Sequence, residues 1–458
     1  MDDGSSITCN KNFRLTKYAS GSLHELWSIS WPLMLASFSG TFMIFIDRAV
    51  LARYQSEAFN ACSAAQPWYW SFEGVLMSFV VSAEILIGRF NGGGSHKKIG
   101  PAVWQTLITA LLSFLVIIPV IYNVRFLLAD NIEALGAPYL QLLLLTLPIE
   151  MAAFGAIGAF FIGRGDTKKI PMVLLTVSCI NCVCDIWFVF GGFGIPSLGV
   201  VGAALATNVS HISSFLIFLV LFLRKKYREK YAINSFHWSW DLLKQCVRIG
   251  MPNAISCGIL MGGWSICYQF FSLELSPSHY KAYCVAFTIY NFMFFVMEGM
   301  SNGVGTLCSN FYGAKQEWFM GKVLKNACVL TGIFAILFCI LLIFSGPIIC
   351  FLAPEDYLHN VAFTEQVVLF LQWYCLLFIF ETLSFCIQYF LFALMKIKIV
   401  LILKCLCYWG MCLIPTYFLV HCGNYNSSVF LQLACLQNAF LLIIFYFWYR
   451  RKSWCKHS

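Results

Sequence analysis

Charged side chains are scarce in this chain. Lys, Arg, Asp and Glu make up 11% of its 458 residues, against roughly 25% in a soluble domain. That scarcity excludes an ordinary water-facing surface. Long polar stretches are missing too, so no sizeable soluble domain is expected. There is no phosphate-binding loop, no His-Glu-x-x-His and no Gly-x-Ser-x-Gly elbow. The chain therefore carries none of the common signatures of nucleotide hydrolysis, zinc-peptidase or serine-hydrolase chemistry, and it reads as a non-enzyme with no cofactor and no metal site.

What it has in abundance is apolar sequence. Hydrophobic residues reach 60% and mean hydropathy is +0.76. Apolar runs of about 20 residues, the length needed to cross hydrocarbon as a helix, recur along the whole chain. They lack the alternation of barrel strands. The fold class expected is an all-α polytopic membrane protein. Twelve spans are counted, centred near residues 40, 78, 112, 150, 181, 211, 256, 295, 337, 378, 409 and 438. The first runs too long for a signal-peptide core and is read as retained.

Basic residues set the expected orientation. Of 30 Lys and Arg, three fall on the side opposite the N-terminus (Arg53, Arg125 and Lys281), and Arg48 lies inside the first span. The rest, including "RKKYREK" at 224–230 and "RRK" at 450–452, share one side. By the positive-inside rule, both termini are expected in the cytoplasm and the protein in the plasma (inner) membrane. The net charge of +9 is then a topology signal and does not mark a nucleic-acid surface. The 21 cysteines lie almost all in apolar spans, where cysteine acts as a small hydrophobe. The C-x-x-C spacing of Cys179 and Cys182 is by itself a weak redox or metal signal.

The chain repeats itself. "YLQLLLLTLPIE" at 139–150 matches "FLQWYCLLFIFE" at 370–381, "WPLML" at 31–35 matches "MPNAI" at 251–255, and "RFNGGG" at 89–94 matches "NFYGAK" at 310–315. Six spans per half is an even number, so both halves insert in the same orientation. They are expected to be two six-helix bundles related by a pseudo-two-fold axis along the membrane normal, a transporter architecture. The expected boundaries are 1–223 for the N-terminal bundle, 224–240 for a cytoplasmic basic linker and 241–458 for the C-terminal bundle.

Within the fifth span, Asn181 and Asp185 lie four residues apart, on one helix face. A carboxylate in hydrocarbon costs roughly 2.5–3.5 kcal/mol on insertion scales, so it normally faces a bundle interior and serves a function.

Three further segments resemble the multidrug and toxic compound extrusion (MATE) transporters. "IDRAVLAR" at 46–53 resembles that family's helix-one motif, with Asp47 followed six residues later by Arg53. "GRGDTKKIP" at 163–171 resembles the turn after helix four, one residue shorter, and "NCVCDIWFVF" with "GVVGAALAT", within 181–207, resembles the helix-five-to-six signature. The second half is more divergent, and "FALMKIKIV" at 392–400 lacks the Gly-Asp-Thr turn.

The resemblance implies a secondary active, cation-coupled exporter of organic, cationic or amphipathic compounds, working by alternating access. It maps a cation-coupling site onto Asp47, Asn181, Asp185 and Thr207. Two carboxylates, an amide oxygen and a hydroxyl suit a hard cation such as sodium, while close carboxylates can also share a proton. H+ or Na+ is the expected coupling ion, with the proton preferred. Pro32 matches a family proline associated with helix-one bending. Arg48 departs from the family, where a small polar residue is usual. Glu381 falls near a helix-ten acid of the sodium-linked branch, and Glu298 is a second intramembrane acid of that half. Leu260 stands where that branch has a helix-seven glutamate. Glu73, Glu84 and Glu150 read as packing polarity. The partners expected are a small organic substrate and membrane lipids, with no nucleic acid, and the chain is expected to act as a monomer. The alternative is a lipid-linked oligosaccharide flippase of related fold, which would line its cavity with arginine and lysine. A membrane enzyme or channel is a third reading, with no catalytic constellation to support it.

Overall fold

The computed structural model describes residues 13–451 apart from 82, 129, 193, 235–237, 275 and 423–427. The first twelve residues of the polar N-terminal stretch, linker residues 235–237 and Lys452 therefore lie outside the described residues.

The described chain is helical, and eleven of its helices are long and apolar enough to cross a membrane. In the first half run α1 (Leu23–Tyr54), α2 (Ser56–Val81), α3 (Ala83–Gly92), α4 (Ile99–Leu112), α5 (Phe114–Asn123), α6 (Asp130–Glu150), α7 (Ala159–Gly163), α8 (Lys169–Phe190), α9 (Gly199–Phe222) and the short α10 (Lys225–Arg228). The second half has α11 (Trp240–Glu274), α12 (Pro277–Gly313), α13 (Trp318–Ile343), α14 (Ser345–Leu352), α15 (Pro354–His359), α16 (Val361–Ala393), α17 (Ile397–Cys407), α18 (Ile414–His421) and α19 (Val429–Arg451). Several spans are composite. The third joins α4 and α5 within His96–Leu127, and the fourth joins α6 and α7 within Glu133–Gly163. A twelfth helix, α11, stands where the sequence places span seven.

Two compact units emerge. The first comprises Met1–Thr16, Leu35–Gly258 and Ser309–Gln316. The second comprises Lys17–Met34, Ile259–Cys308 and Glu317–Ser458. Three of the five divisions between units fall inside the helices α1, α11 and α12.

In the first unit, α6 packs against α2 and α9, and α8 packs against α9. Their core includes Leu51, Leu140, Leu144, Val189, Ala203 and Ala204. Small residues allow the tightest of these approaches. A Cβ on Gly202 would stand 2.6 Å from the Phe188 carbonyl, so only glycine lets α9 lie this close to α8. The repeated segments "RFNGGG" and "NFYGAK" meet within this unit. A Cβ on Gly92 would overlap the Asn310 carbonyl oxygen at 1.8 Å, and one on Gly313 the Arg89 carbonyl oxygen at 2.1 Å. Asn91 Nδ2 donates to Asn310 Oδ1 at 2.7 Å.

The basic segment after α9 is anchored to the first unit. The Arg164 guanidinium lies 3.7 Å from the Phe160 ring centroid, 4.6 Å from Tyr231 and 4.8 Å from Tyr227. This aromatic cage satisfies a buried cation through ring quadrupoles. The Gly100 amide donates to the Tyr231 carbonyl at 3.0 Å, and Trp104 Nε1 donates to the Ile233 carbonyl at 2.8 Å. In the turn at 163–171, Asp166 pairs with Lys169 and accepts from Tyr227. Among the described cysteines, Cys179 and Cys182 are free thiols.

In the second unit, α16 packs against α13 and α19. Close helix contact again rests on glycine. A Cβ on Gly299 of α12 would strike the Met34 backbone at 2.3 Å, and one on Gly303 would strike Ser30.

Candidate functional site

Helix α8 carries Asn181 and Asp185 on the face turned toward the interior of the first unit. Both residues are 0% exposed. Their neighbours on the helix, Val183 and Ile186, are exposed, as expected of a helix with one side toward lipid. The buried stripe of Val177, Asn181, Asp185 and Val189 follows the i, i+4 period. Gly191, at φ +83°, stops the helix in a left-handed conformation that glycine adopts freely.

The amide of Asn181 bridges two carboxylates. One amide atom of Asn181 lies 3.1 Å from Asp185 Oδ2 and 2.9 Å from Asp47 Oδ1, and assigned as Nδ2 it donates to both. Asp47 comes from α1, inside the stretch that belongs to the first unit. Its carboxyl also contacts the Asp185 carboxyl and the Thr207 hydroxyl of α9. The Thr207 hydroxyl additionally donates to the Ala203 carbonyl at 3.2 Å. Asp185 Oδ1 is buried and has no hydrogen-bond donor beside it. Three helices thus bring together the four residues Asp47, Asn181, Asp185 and Thr207. Chemically, the cluster holds two acids, one donor amide and one hydroxyl, in an apolar shell that includes Val50, Leu51 and Ala204. A cation or proton is the natural complement of such a group.

The polar cluster extends further than the motifs indicate. One turn beyond Thr207 on α9 sits His211, buried like Thr207. Its Nε2 lies 3.3 Å from Glu150 Oε2, and its Nδ1 lies 3.0 Å from Thr146 Oγ1. Tyr69 donates to Glu150 Oε2 at 2.8 Å, and Thr146 donates to Asn208 Oδ1 at 2.6 Å. Glu150, read from the sequence as packing polarity, is therefore a hydrogen-bonded member of this network. It closes α6, and the backbone from Met151 to Gly158 winds as a π-helix. Such wide turns occur frequently at functional sites. A search for titratable residues at i+4 from Thr207 would have picked out His211.

Among the described residues, Arg48 makes no ion pair with an acid. Its guanidinium lies 5.9 Å from the Trp70 ring centroid, a cation–π contact that keeps it half-buried. Pro32 is inside α1, which continues through it as a helix.

The second unit carries its own buried acid. Glu381 of α16 accepts from the Tyr290 hydroxyl of α12, and the Tyr290 ring stacks on Tyr374 with centroids 4.6 Å apart. Lys404 of α17 donates to Gln388 Oε1 at 2.9 Å and lies 3.8 Å from the Phe385 centroid. The sequence reading counts this lysine among the basic residues of the cytoplasmic side, but it falls inside a membrane-spanning helix. Glu298, also on α12, is two helical turns from Tyr290 and so about 12 Å further along the axis.

Comparison with known proteins bears on this arrangement. A protein named probable multidrug resistance protein NorM, from Thermotoga maritima, is 23% identical over 356 residues, covering 75% of this chain and 73% of its own. One of the same name from Neisseria meningitidis serogroup B is 20% identical, covering 88% of each. The multidrug resistance protein NorM of Vibrio cholerae is 28% identical over 241 residues, about half of each chain. The fold is shared with an outward-facing MATE family transporter of the MOP superfamily (TM-score 0.84, 17% identity, covering 95% of this chain and 96% of that one). It is also shared with a eukaryotic MATE transporter (TM-score 0.79, 16% identity, covering 94% and 96%). The sequence pattern of the MatE family matches residues 32–187 and 255–418, which together make up most of the chain and include Asp47, Asn181 and Asp185, and the chain belongs to that family.

Proposed function

We propose that this chain is a secondary active exporter of organic, cationic or amphipathic compounds. It is driven by a cation that occupies Asp47, Asn181, Asp185 and Thr207. The observation that carries the reading is the bridge formed by Asn181 between two buried carboxylates inside a membrane-spanning bundle. Two ionised acids in hydrocarbon are costly, and a protein keeps such a pair where its charge must be switched. The names of the relatives, multidrug resistance proteins, support an efflux role and give no support to the flippase alternative.

A proton is favoured over sodium as the coupling ion. The carboxyls of Asp47 and Asp185 flank the same amide atom of Asn181, and so close a pair is satisfied by one shared proton.

The remaining expectations take their place in the same reading. Both termini and the basic segment 224–240 face the cytoplasm of the plasma membrane. Pro32, which lacks the backbone N–H that would bond four residues back, is where α1 bends. The chain works as a monomer on small organic substrates and has no catalytic role.

Transport in reconstituted vesicles tests the core of the proposal. Export of an organic cation is expected to follow an imposed pH gradient without sodium. Asp47→Asn or Asp185→Asn is expected to reduce gradient-driven export at least a hundredfold at matched expression. Export that needs sodium and ignores the pH gradient reverses the choice of ion. Undiminished export by Asp185→Asn removes the site.

A further inference from the structure

The basic segment after α9 is pinned to the first unit, and its tyrosines decide which side chains are left outside. Tyr227 and Tyr231 lie four residues apart and are both buried. The Tyr231 amide donates to the Tyr227 carbonyl at 3.0 Å, and the Ile233 amide to the Arg228 carbonyl at 3.1 Å. The Tyr231 ring meets His96 edge-on, with centroids 5.8 Å apart, and the Tyr227 hydroxyl accepts from Lys169. The turns that lead into α4 and α8 therefore close on the same two rings. With the tyrosines inside, Lys225, Lys226, Arg228 and Lys230 are exposed. Lys98 and Lys168, from the two turns, are exposed as well. None of these bases makes an ion pair among the described residues. Glu229 is the exposed acid of the segment. Asp166 is already shared by Arg164 and Lys169, so the anchor under the segment adds positive charge.

The depth of this face matters as much as its charge. Val220 is exposed near the end of α9, and Arg224 follows one turn later, about 6 Å along the helix axis. Met172 is exposed near the start of α8, one turn from Lys168. Apolar and basic surfaces thus adjoin at the same end of two membrane spans, which is the level of lipid headgroups. Trp238 and Trp240 follow in the chain, both exposed, and such amphipathic rings settle at membrane interfaces.

We infer that this face is a binding site for the phosphate headgroups of anionic glycerophospholipids such as phosphatidylglycerol. Roughly four to eight Lys and Arg directly beyond a membrane helix attract such lipids. Membrane topology asks only for charge, in a loop of any conformation. Here buried tyrosines hold the backbone that carries the bases, so a headgroup meets several charges at once and little ordering cost is added on binding. Each base near the surface is worth about fivefold in affinity.

Native mass spectrometry of the full chain in neutral detergent, with phosphatidylglycerol or phosphatidylcholine added, tests the site. Phosphatidylglycerol is expected to be retained in preference to phosphatidylcholine. The triple variant Lys225→Gln, Lys226→Gln, Lys230→Gln is expected to bind phosphatidylglycerol at least tenfold more weakly. Lys322→Gln, Lys325→Gln, Lys398→Gln removes the same charge from exposed positions of the second unit and is expected to cost less than threefold. Equal losses in the two variants overturn the site and leave only the general attraction of a basic protein for acidic lipid. Absence of any preference over phosphatidylcholine overturns it too. Displacement of the lipid by excess inorganic phosphate assigns the face to a soluble anion and also overturns the proposal. Each of these failures leaves the Asp47–Asp185 site standing, since that site is judged by the export of Asp185→Asn.

Discussion

Asp185 and Asp47 differ in what their surroundings give them. Asp185 is fully buried, receives the Asn181 amide on one oxygen, and has no donor beside the other. Asp47 shares the same amide, and its protonated carboxyl has the Thr207 oxygen beside it as an acceptor, the Thr207 hydrogen going to the Ala203 carbonyl. Removing one neutral hydrogen bond costs about 0.5–1.5 kcal/mol. Thr207→Ala is therefore expected to weaken gradient-driven export by roughly three- to tenfold, with abundance unchanged, when initial rates are compared in vesicles. In the second unit Glu381 is held by Tyr290 and stands near the Lys404 ammonium, so a positive charge is already supplied from within the chain. Glu381→Gln is accordingly expected to lower export less than either aspartate variant in the same assay. A dead Glu381→Gln beside an active Asp185→Asn would move the coupling role to the second unit.

At the scale of elements, the site depends on how closely α8 and α9 pack. Gly202 permits backbone contact with Phe188, and Thr207 sits only five residues further along α9. A valine at 202 has no room, and the backbones must part by an ångström or more. Two consequences are expected of Gly202→Val: a fall in thermal stability, read by a fluorescence melting assay, and a loss of coupling, read by transport. Gly332, with open space around its Cα, serves as the control, and Gly332→Ala is expected to change neither. If Gly202→Val melts and transports as wild type does, close α8–α9 packing does not position Thr207.

At the scale of the whole molecule, the energetics set what the exporter is able to achieve. A membrane potential of 100 mV supplies about 2.3 kcal/mol per charge moved, and each pH unit supplies about 1.4 kcal/mol. If the coupling ion is a proton, one proton exchanged for a neutral substrate supports ratios of tens to several hundreds. Exchange for a monovalent cation moves no net charge and is limited to about tenfold per pH unit until a second proton is coupled. The basic residues predict the orientation in which this gradient acts. Labelling of single cysteines placed near residue 20, within 224–234 and at 450 is expected to occur only from the cytoplasmic face. Labelling of the 224–234 segment from outside would demand an odd number of spans before it and would remove the six-plus-six arrangement.

Length and hydropathy determine by themselves that the chain is a bundle of membrane-spanning helices, because a backbone in hydrocarbon has to satisfy its own hydrogen bonds. The spacing of Asn181 and Asp185 likewise places them on one face through helix geometry alone. Their meeting with Asp47 and Thr207 was legible only through the family motifs, since residues 138 positions apart carry no mark of contact in a single sequence. The tertiary structure decided what local pattern does not encode. Glu150 is the end of an apolar helix in sequence, but folding sets it against His211 and Tyr69, from α9 and α2. Arg48 reads only as a departure from the family motif, and the fold sets it beside the Trp70 ring. Lys404 reads as one more basic residue, but the fold places it inside a span beside Gln388 and Phe385. Each of these outcomes depends on which helix is the neighbour. Neighbours are chosen by packing of small residues such as Gly202 over the whole bundle, and no window of sequence contains that information.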